Sequence, residues 1–199
     1  MPPYNKLVAY FSRLTTLSEE EAAAITDSMV IRTFPKGSLL LREGAIAREC
    51  YFVLEGCVRQ YYLVDGMEKT DHFFTEEQWI VSMQSFLQQT PSPHYWICCE
   101  DTTLVVGNEQ KEHALYERFP RFESIARTVM SHMLAEQQAL TAAYLTDTPE
   151  QRYLALLAAR PDLLHRIPQY LLASYIGVQP ESLSRIRKRI SARQPKSTH

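Results

Sequence analysis

Four features are missing from this 199-residue sequence, and each absence closes a class of function. No apolar run approaches the roughly 20 residues that span a bilayer, so no membrane partner is expected. Met1 to Leu17 lack the continuous apolar core and small-residue cleavage site of a secretory leader, which points to the cytoplasm. The cysteines, Cys50, Cys57, Cys98 and Cys99, form no Cys-x-x-C pair, and His72, His94 and His113 are scattered with no His-x-His pair. No metal, iron–sulfur cluster or other cofactor is therefore expected. Free, buried thiols in a reducing compartment are the plainer reading. Finally, residues 70–110 hold no Lys or Arg, so a phosphate buried among them would lack a cationic partner.

What is present starts with a core. Hydrophobic residues make up 45% of the chain, enough for one large domain and a small one. The net charge of −2 conceals an asymmetry. Residues 180–199 carry six basic side chains and one acid, which leaves the remainder acidic. A basic end on an acidic body fits nucleic-acid contact confined to that end.

Pro168 to Ile190 carries the strongest pattern. Leu172, Ala173 and Ile176 recur at helical spacing, Gly177 marks a sharp turn, and Val178 fills the corner. Pro180 opens a second helix whose inner face is Leu183, Ile186 and Ile190. Ala173, four residues before the glycine, lets the helices approach closely. This is a helix-turn-helix pattern, whose second helix is expected to enter the major groove of double-stranded DNA. Gln179, Glu181, Ser182 and Arg185 are the candidates for base edges, and Arg187, Lys188 and Arg189 for phosphates.

The remaining chain reads in three parts. Leu7, Phe11, Leu14 and Leu17 lie at helical spacing; Ser18 then caps a helix from Glu19 to Met29, with Glu21 completing a capping box. From Ile31 to Gly107, short strands alternate with glycine turns: Tyr51–Glu55, Cys57–Leu63, a hairpin at Asp65-Gly66, Glu68–Phe74, Tyr95–Cys99 and Thr103–Val106. No helical crossover separates these strands, so a sandwich or jelly roll is expected. Helices follow at Glu109–Phe119, about Arg121–Leu145, and Pro149–Ala159 capped by Thr148. The stripe Phe122, Ala126, Val129, Met133, Leu140 and Ala143 suits pairing with a second copy, with Val129, Met133 and Leu140 at the seam. The fold class is thus α+β: a β-roll with a helical lead-in (1–120), a dimerisation helix (121–146) and a helix-turn-helix domain (147–199). The last ten residues look frayed.

The combination resembles the Crp/Fnr family of bacterial transcription regulators. Lys36-Gly-Ser-Leu-Leu-Leu-Arg-Glu-Gly44, Tyr51-Phe-Val-Leu-Glu-Gly56 and Ile176-Gly-Val-Gln-Pro-Glu-Ser-Leu-Ser-Arg185 carry the resemblance, which extends over nearly the whole chain. It implies a cyclic-nucleotide-binding-type sensor domain, a homodimer, a winged helix-turn-helix, and RNA polymerase and a small-molecule effector as further partners. Two departures stand out. Trp79 to Phe86 occupies the place of the family's phosphate cassette, with Ser82 where its Glu belongs and Pro93 or His94 where its Arg belongs. Cyclic AMP is therefore not the expected effector, and an altered pocket would be lined by Trp79, Ser82, Gln84, Ser85, His94 and Trp96. After Ile190 only nine residues remain, without a β pattern, so a wing hairpin is not expected.

The competing readings are a cupin-like metal enzyme, a regulator that holds a cyclic nucleotide by altered contacts, and a helix-turn-helix that binds a protein. The first needs clustered His and carboxylate ligands, which the spacing does not supply. No catalytic residues are expected.

Overall fold

The computed structural model describes residues 4–193. It begins with α1 (Tyr4–Leu14) and α2 (Glu19–Ser28). The expected capping box forms at α2: the Glu21 N–H donates to Ser18 Oγ at 3.1 Å, and the Ser18 N–H to Glu21 Oε2 at 2.8 Å. Glu21 is buried and also receives Arg121, so one cap ties the lead-in to a distant helix.

Eight strands follow: β1 (Val30–Phe34), β2 (Leu39–Leu41), β3 (Cys50–Glu55), β4 (Val58–Val64), β5 (Met67–Phe74), β6 (Trp79–Ile80), β7 (Tyr95–Cys98) and β8 (Thr102–Gly107). They form two four-stranded antiparallel sheets, ordered β1-β8-β3-β6 and β2-β7-β4-β5. The expected jelly-roll-like β domain is present, with β1, β2 and β6 in addition to the five strands legible in the sequence. Those three are short or lie at sheet edges, where alternation is weak. At Asp65-Gly66, φ values of 53° and 75° make the tight hairpin turn between β4 and β5.

Period-2 alternation sorts the side chains. Tyr51, Val53, Val58, Ile80, Trp96, Leu104 and Val106 fill the space between the sheets. Phe52, Leu54, Trp79 and Val105 point the other way, under α1, α2 and the start of the long helix. The second sheet's outer face offers Cys57 and Phe73 to a third cluster, described below. A short helix, α3 (Met83–Gln88), stands between β6 and β7.

After the roll come α4 (Glu109–Arg118) and the 26-residue α5 (Arg121–Thr146). Asp147 leaves the helical region with φ −89° and ψ 146°, breaking the helix at the expected hinge. Thr148 caps α6 (Pro149–Ala159) as expected, with Gln151 closing a second capping box. Then come α7 (Leu163–Arg166), α8 (Gln169–Ile176) and α9 (Pro180–Arg193). Ile190 to Arg193 are the end of α9 rather than frayed chain. The remainder of that expectation, and the question of a wing, lie outside the described residues.

Candidate nucleic-acid interface and effector pocket

The helix-turn-helix has the geometry that its sequence demands. Gly177 adopts φ 80°, which costs an L-residue with a side chain about 1–2 kcal/mol, and its N–H reaches Ala173 O and Ser174 O. The Val178 N–H then donates to Ala173 O at 2.9 Å. A Cβ on Gly177 would stand 3.0 Å from the Tyr144 hydroxyl, so the turn is also pressed against the end of α5. Leu172, Ala173 and Ile176 of α8 meet Leu183 and Ile186 of α9 in one buried cluster.

Burial of that inner face leaves Gln179, Glu181, Arg185, Lys188 and Arg189 exposed, with Ser182 and Arg187 half-buried. Arg189 is not free: it pairs with Glu150, which also holds Arg193 at 2.7 Å. Glu150 thus braces α9 against α6. No spacing in the chain marks this tie, because α6 and α9 meet only in three dimensions.

Arg152 joins the hinge to the turn. Its Nε donates to Ile176 O at 2.9 Å and its Nη1 to Tyr144 O at 3.1 Å, while its guanidinium lies 4.9 Å from the Tyr144 ring centroid. One side chain therefore grips the end of α5 and the end of α8 together. Sequence reasoning missed Arg152, since nothing in its spacing marks it.

The helix-turn-helix domain also lies against the β-roll. Phe73 and Cys57 on the outer sheet join Tyr153, Leu163, Ile167, Leu171 and others in one cluster, and Phe73 meets Tyr175 edge-on at 5.4 Å. Ser174 Oγ accepts from the Thr70 N–H at 2.9 Å and donates to Glu68 O at 3.2 Å. Arg160 donates to Phe73 O at 3.0 Å and Thr75 Oγ1 at 2.7 Å. At the rim, Arg166 grips Glu76 through two bonds of 2.9 Å and also reaches Glu100. Burial alone would raise the Glu76 carboxyl; hydrogen bonds from Arg166 and from backbone N–H groups, Gly56 among them, outweigh it and hold it below its ordinary value. The same contacts raise Arg166 further, led by the bond to Glu76. The boundary between the expected domains is thus a packed seam.

The six pocket candidates are not brought together. Trp79 faces outward into the helical cluster, beside Phe52 at 5.1 Å. Gln84 is exposed. Ser85 is fully buried as a turn support: its hydroxyl accepts from the Ala47 N–H at 2.8 Å and donates to Thr90 O at 2.6 Å. Ser82 is buried at the start of α3 without a side-chain capping bond. Only His94 and Trp96 meet, 5.5 Å apart, between the sheets. The Trp96 indole donates to Gln60 Oε1 at 2.7 Å, and the Gln60 amide to Asp71 Oδ2 at 3.1 Å.

That interior set is polar but carries no cation. Burial raises the Asp71 carboxyl to about 6, against the Gln60 hydrogen bond, which lowers it. His94 is 7% exposed, and neither ring nitrogen has a hydrogen-bond partner. Burial lowers it to about 4. The arrangement suits neutral, hydrogen-bonding chemistry and opposes a phosphate.

A separate apolar cavity of about 220 Å³ lies outside the first sheet, under α1 to α5. Phe11, Trp79, Phe86, Leu115, Val129 and Met133 help to line it. Of the expected seam residues, Val129 is buried on its own domain, Met133 is half-buried and Leu140 is exposed. The first half of the α5 stripe thus serves the roll; beyond it, Leu134, Leu140, Tyr144 and Leu145 are exposed. No helix of the described residues is long and apolar enough to cross a membrane. No group of three or more His, Cys, Asp or Glu among the described residues could hold a metal ion.

A β-roll, a long helix and a helix-turn-helix in this order define a class of architecture, a β domain joined through one helix to a helical C-terminal domain. Comparison with known proteins refines that class. Residues 31–119 match the family described as cyclic nucleotide-binding domain. A comparison with curated proteins found no match. Among solved structures, the Xanthomonas campestris global regulator CLP is 17% identical, covers 88% of this chain and 92% of its own, and has a TM-score of 0.69. FixK2 of Bradyrhizobium japonicum is 15% identical, with coverage of 82% and 85% and a TM-score of 0.66. The Thermus thermophilus catabolite activator protein is 20% identical, with coverage of 92% and 87% and a TM-score of 0.56. The chain shares the fold of these solved structures, and its residues 31–119 match a cyclic nucleotide-binding domain.

Proposed function

We propose that the chain is a sequence-specific DNA-binding transcription regulator, acting as a cytoplasmic homodimer whose β-roll does not take cyclic AMP or cyclic GMP. The observation that carries this reading is the exposed polar face of α9. Gln179 just before the helix, with Glu181 and Arg185 on it, stands opposite the side buried through Leu183 and Ile186. Glu181 and Arg185 lie four residues apart and share one face. Bases are read by such polar side chains, and Lys188 and Arg187 suit the adjoining phosphates. A homodimer along α5 would cover Leu134, Leu140 and Tyr144 and present two recognition helices to successive major grooves. RNA polymerase is a fitting further partner for a regulator so placed.

The effector half of the reading rests on charge. Residues 70–110 lack Lys and Arg, and the interior offers Asp71, His94, Gln60 and Trp96 instead. A cyclic phosphate held there would have no cationic partner. A neutral effector fits this interior better. The structure from Xanthomonas is described as c-di-GMP responsive, so that dinucleotide is a sensible probe of altered cyclic-nucleotide contacts.

The deciding experiment is selection of binding sites from a random DNA pool with the purified full chain. Affinities for the selected and a scrambled site are then measured at several salt concentrations. A two-fold symmetric motif whose preference over the scrambled site persists as salt rises supports the reading. Enrichment of no motif would remove it, and titration with cyclic AMP, cyclic GMP and c-di-GMP tests the effector half separately.

A further inference from the structure

Cys57 and Cys99 stand side by side on the outer face of the second sheet, one step beyond the β4–β7 pair Val58 and Cys98. The Cys99 N–H donates to Cys57 O at 2.8 Å, which makes them opposite residues in an antiparallel ladder. Opposite residues so bonded have Cα atoms about 5.5 Å apart, inside the range that a disulfide spans. Their side chains are neighbours on one face of the sheet, close enough for each thiol to act on the ionisation of the other. Cys57 is fully buried, and Cys99 is half-buried.

The two sulfurs are chemically unequal. The neighbouring Cys57 thiol pulls the Cys99 thiol below its ordinary value despite burial, with Arg59 and Lys36 adding to the effect. The same interaction, with burial, pushes Cys57 up. Burial pushes Cys50 and Cys98 up to about 12 and about 11. A reachable, acidified thiol in contact with a buried one is the arrangement of an attacking and a resolving cysteine.

Their position gives the pair consequence. Cys57 belongs to the cluster of Phe73, Leu163 and Ile167 on which the C-terminal helices rest, and Cys99 packs against it. Arg166, which clamps the rim, holds Glu100, the residue after Cys99. We propose that Cys57 and Cys99 form a reversible disulfide that sets how firmly the helix-turn-helix domain docks on the β-roll. Joining the sulfurs draws them to about 2.05 Å and takes the Cys57 sulfur out of a close-packed floor, where lost contacts are not replaced.

A hydroperoxide is the oxidant. The Cys99 thiolate attacks one peroxide oxygen, the O–O bond breaks, and the leaving oxygen takes up the proton that Cys99 released, giving a sulfenic acid. The Cys57 sulfur attacks the Cys99 sulfur, the S–O bond breaks, and the departing hydroxyl leaves as water with the Cys57 proton. Two thiols lose two electrons and the peroxide gains them. A dithiol reductant reverses the step.

The test uses the full chain treated with hydrogen peroxide, blocked with N-ethylmaleimide, digested and read by mass spectrometry. A peptide linking Cys57 to the segment with Cys98 and Cys99 is expected in the wild type, in Cys98→Ser and in Cys50→Ser, and its loss is expected in Cys99→Ser. Absence of the link in the wild type, or its survival in Cys99→Ser, would overturn the disulfide. Amide exchange across α7 and α8 should rise by at least about fivefold on oxidation, as for a segment losing local packing, and return with dithiothreitol. Oxidised Cys99→Ser, a half-buried change that spares the core, should show no rise. A linked protein with unchanged exchange would overturn the coupling to the seam. Neither readout uses DNA, so a failure here is distinct from a failure of the proposed function.

Discussion

Replacing His94 by Gln should make the protein less sensitive to acid, by an amount that follows from burial. The folded state holds His94 at about 4, against 6.5 for the free side chain. The pKa is lowered on folding, so its contribution to stability is complete above 6.5 and is lost as pH falls through 4. Between pH 7 and pH 5 the unfolded chain takes up the proton and the folded one resists it, which costs about 2 kcal/mol. His72, also lowered to about 4 by burial and by Arg160, adds a term of the same sign. Asp71, raised to about 6, opposes both, because a raised carboxyl gains stability as pH falls; that offset is about 1 kcal/mol. His94→Gln removes one term and leaves the others in place. Urea unfolding at pH 7 and pH 5, at fixed protein concentration, should therefore show the wild type losing about 2 kcal/mol more than the variant. Parallel pH profiles would mean that the His94 ring is solvated or partnered in solution, and that the interior there could hold a charged group.

Three further outcomes are expected. Gly177→Ala should destabilise by about 1–2 kcal/mol in urea melts, because its left-handed conformation strains any Cβ, with the Tyr144 hydroxyl 3.0 Å away adding to the crowding; a neutral effect would show that the turn relaxes freely. Arg185→Ala should cost about 1–3 kcal/mol per half-site for a selected DNA and little for a scrambled one, whereas Lys188→Ala should weaken both alike and flatten the salt dependence; equal losses for Arg185→Ala would recast it as a phosphate anchor. Met133→Glu should shift light scattering toward monomer by placing an unpaired charge at the seam; an unchanged dimer would move the seam toward Leu134 and Tyr144.

Much of the local structure was legible in the chain because its signals are local. Ser18 with Glu21, Thr148 with Pro149, Asp65-Gly66 and Gly177 each fix a cap or a turn within four residues, and the structure has all of them. The α8–α9 core was equally readable, since Leu172, Ala173, Ile176, Leu183 and Ile186 mark it by spacing alone. The short strands β1, β2 and β6 were not, because pairing with a distant partner defines them and propensity does not.

Sites that depend on which face a strand presents were decided only by the tertiary structure. Trp79 and Trp96 both read as pocket aromatics, but β6 turns Trp79 outward while β7 turns Trp96 inward. Val129 reads as a seam residue by period, yet it is already buried within its own chain. Glu150 with Arg189, Arg152 with Ile176, and Arg166 with Glu76 join elements far apart in sequence, where no spacing rule applies. The same holds for the docking of α8 on β5. By itself the sequence determined the caps, the turns and the charged face of α9, because those follow from backbone geometry and burial over a few residues. Only the packed chain decided which cysteines touch, which histidine is stranded and how the helix-turn-helix rests on the roll, because each of these is a meeting of surfaces rather than a property of any one segment.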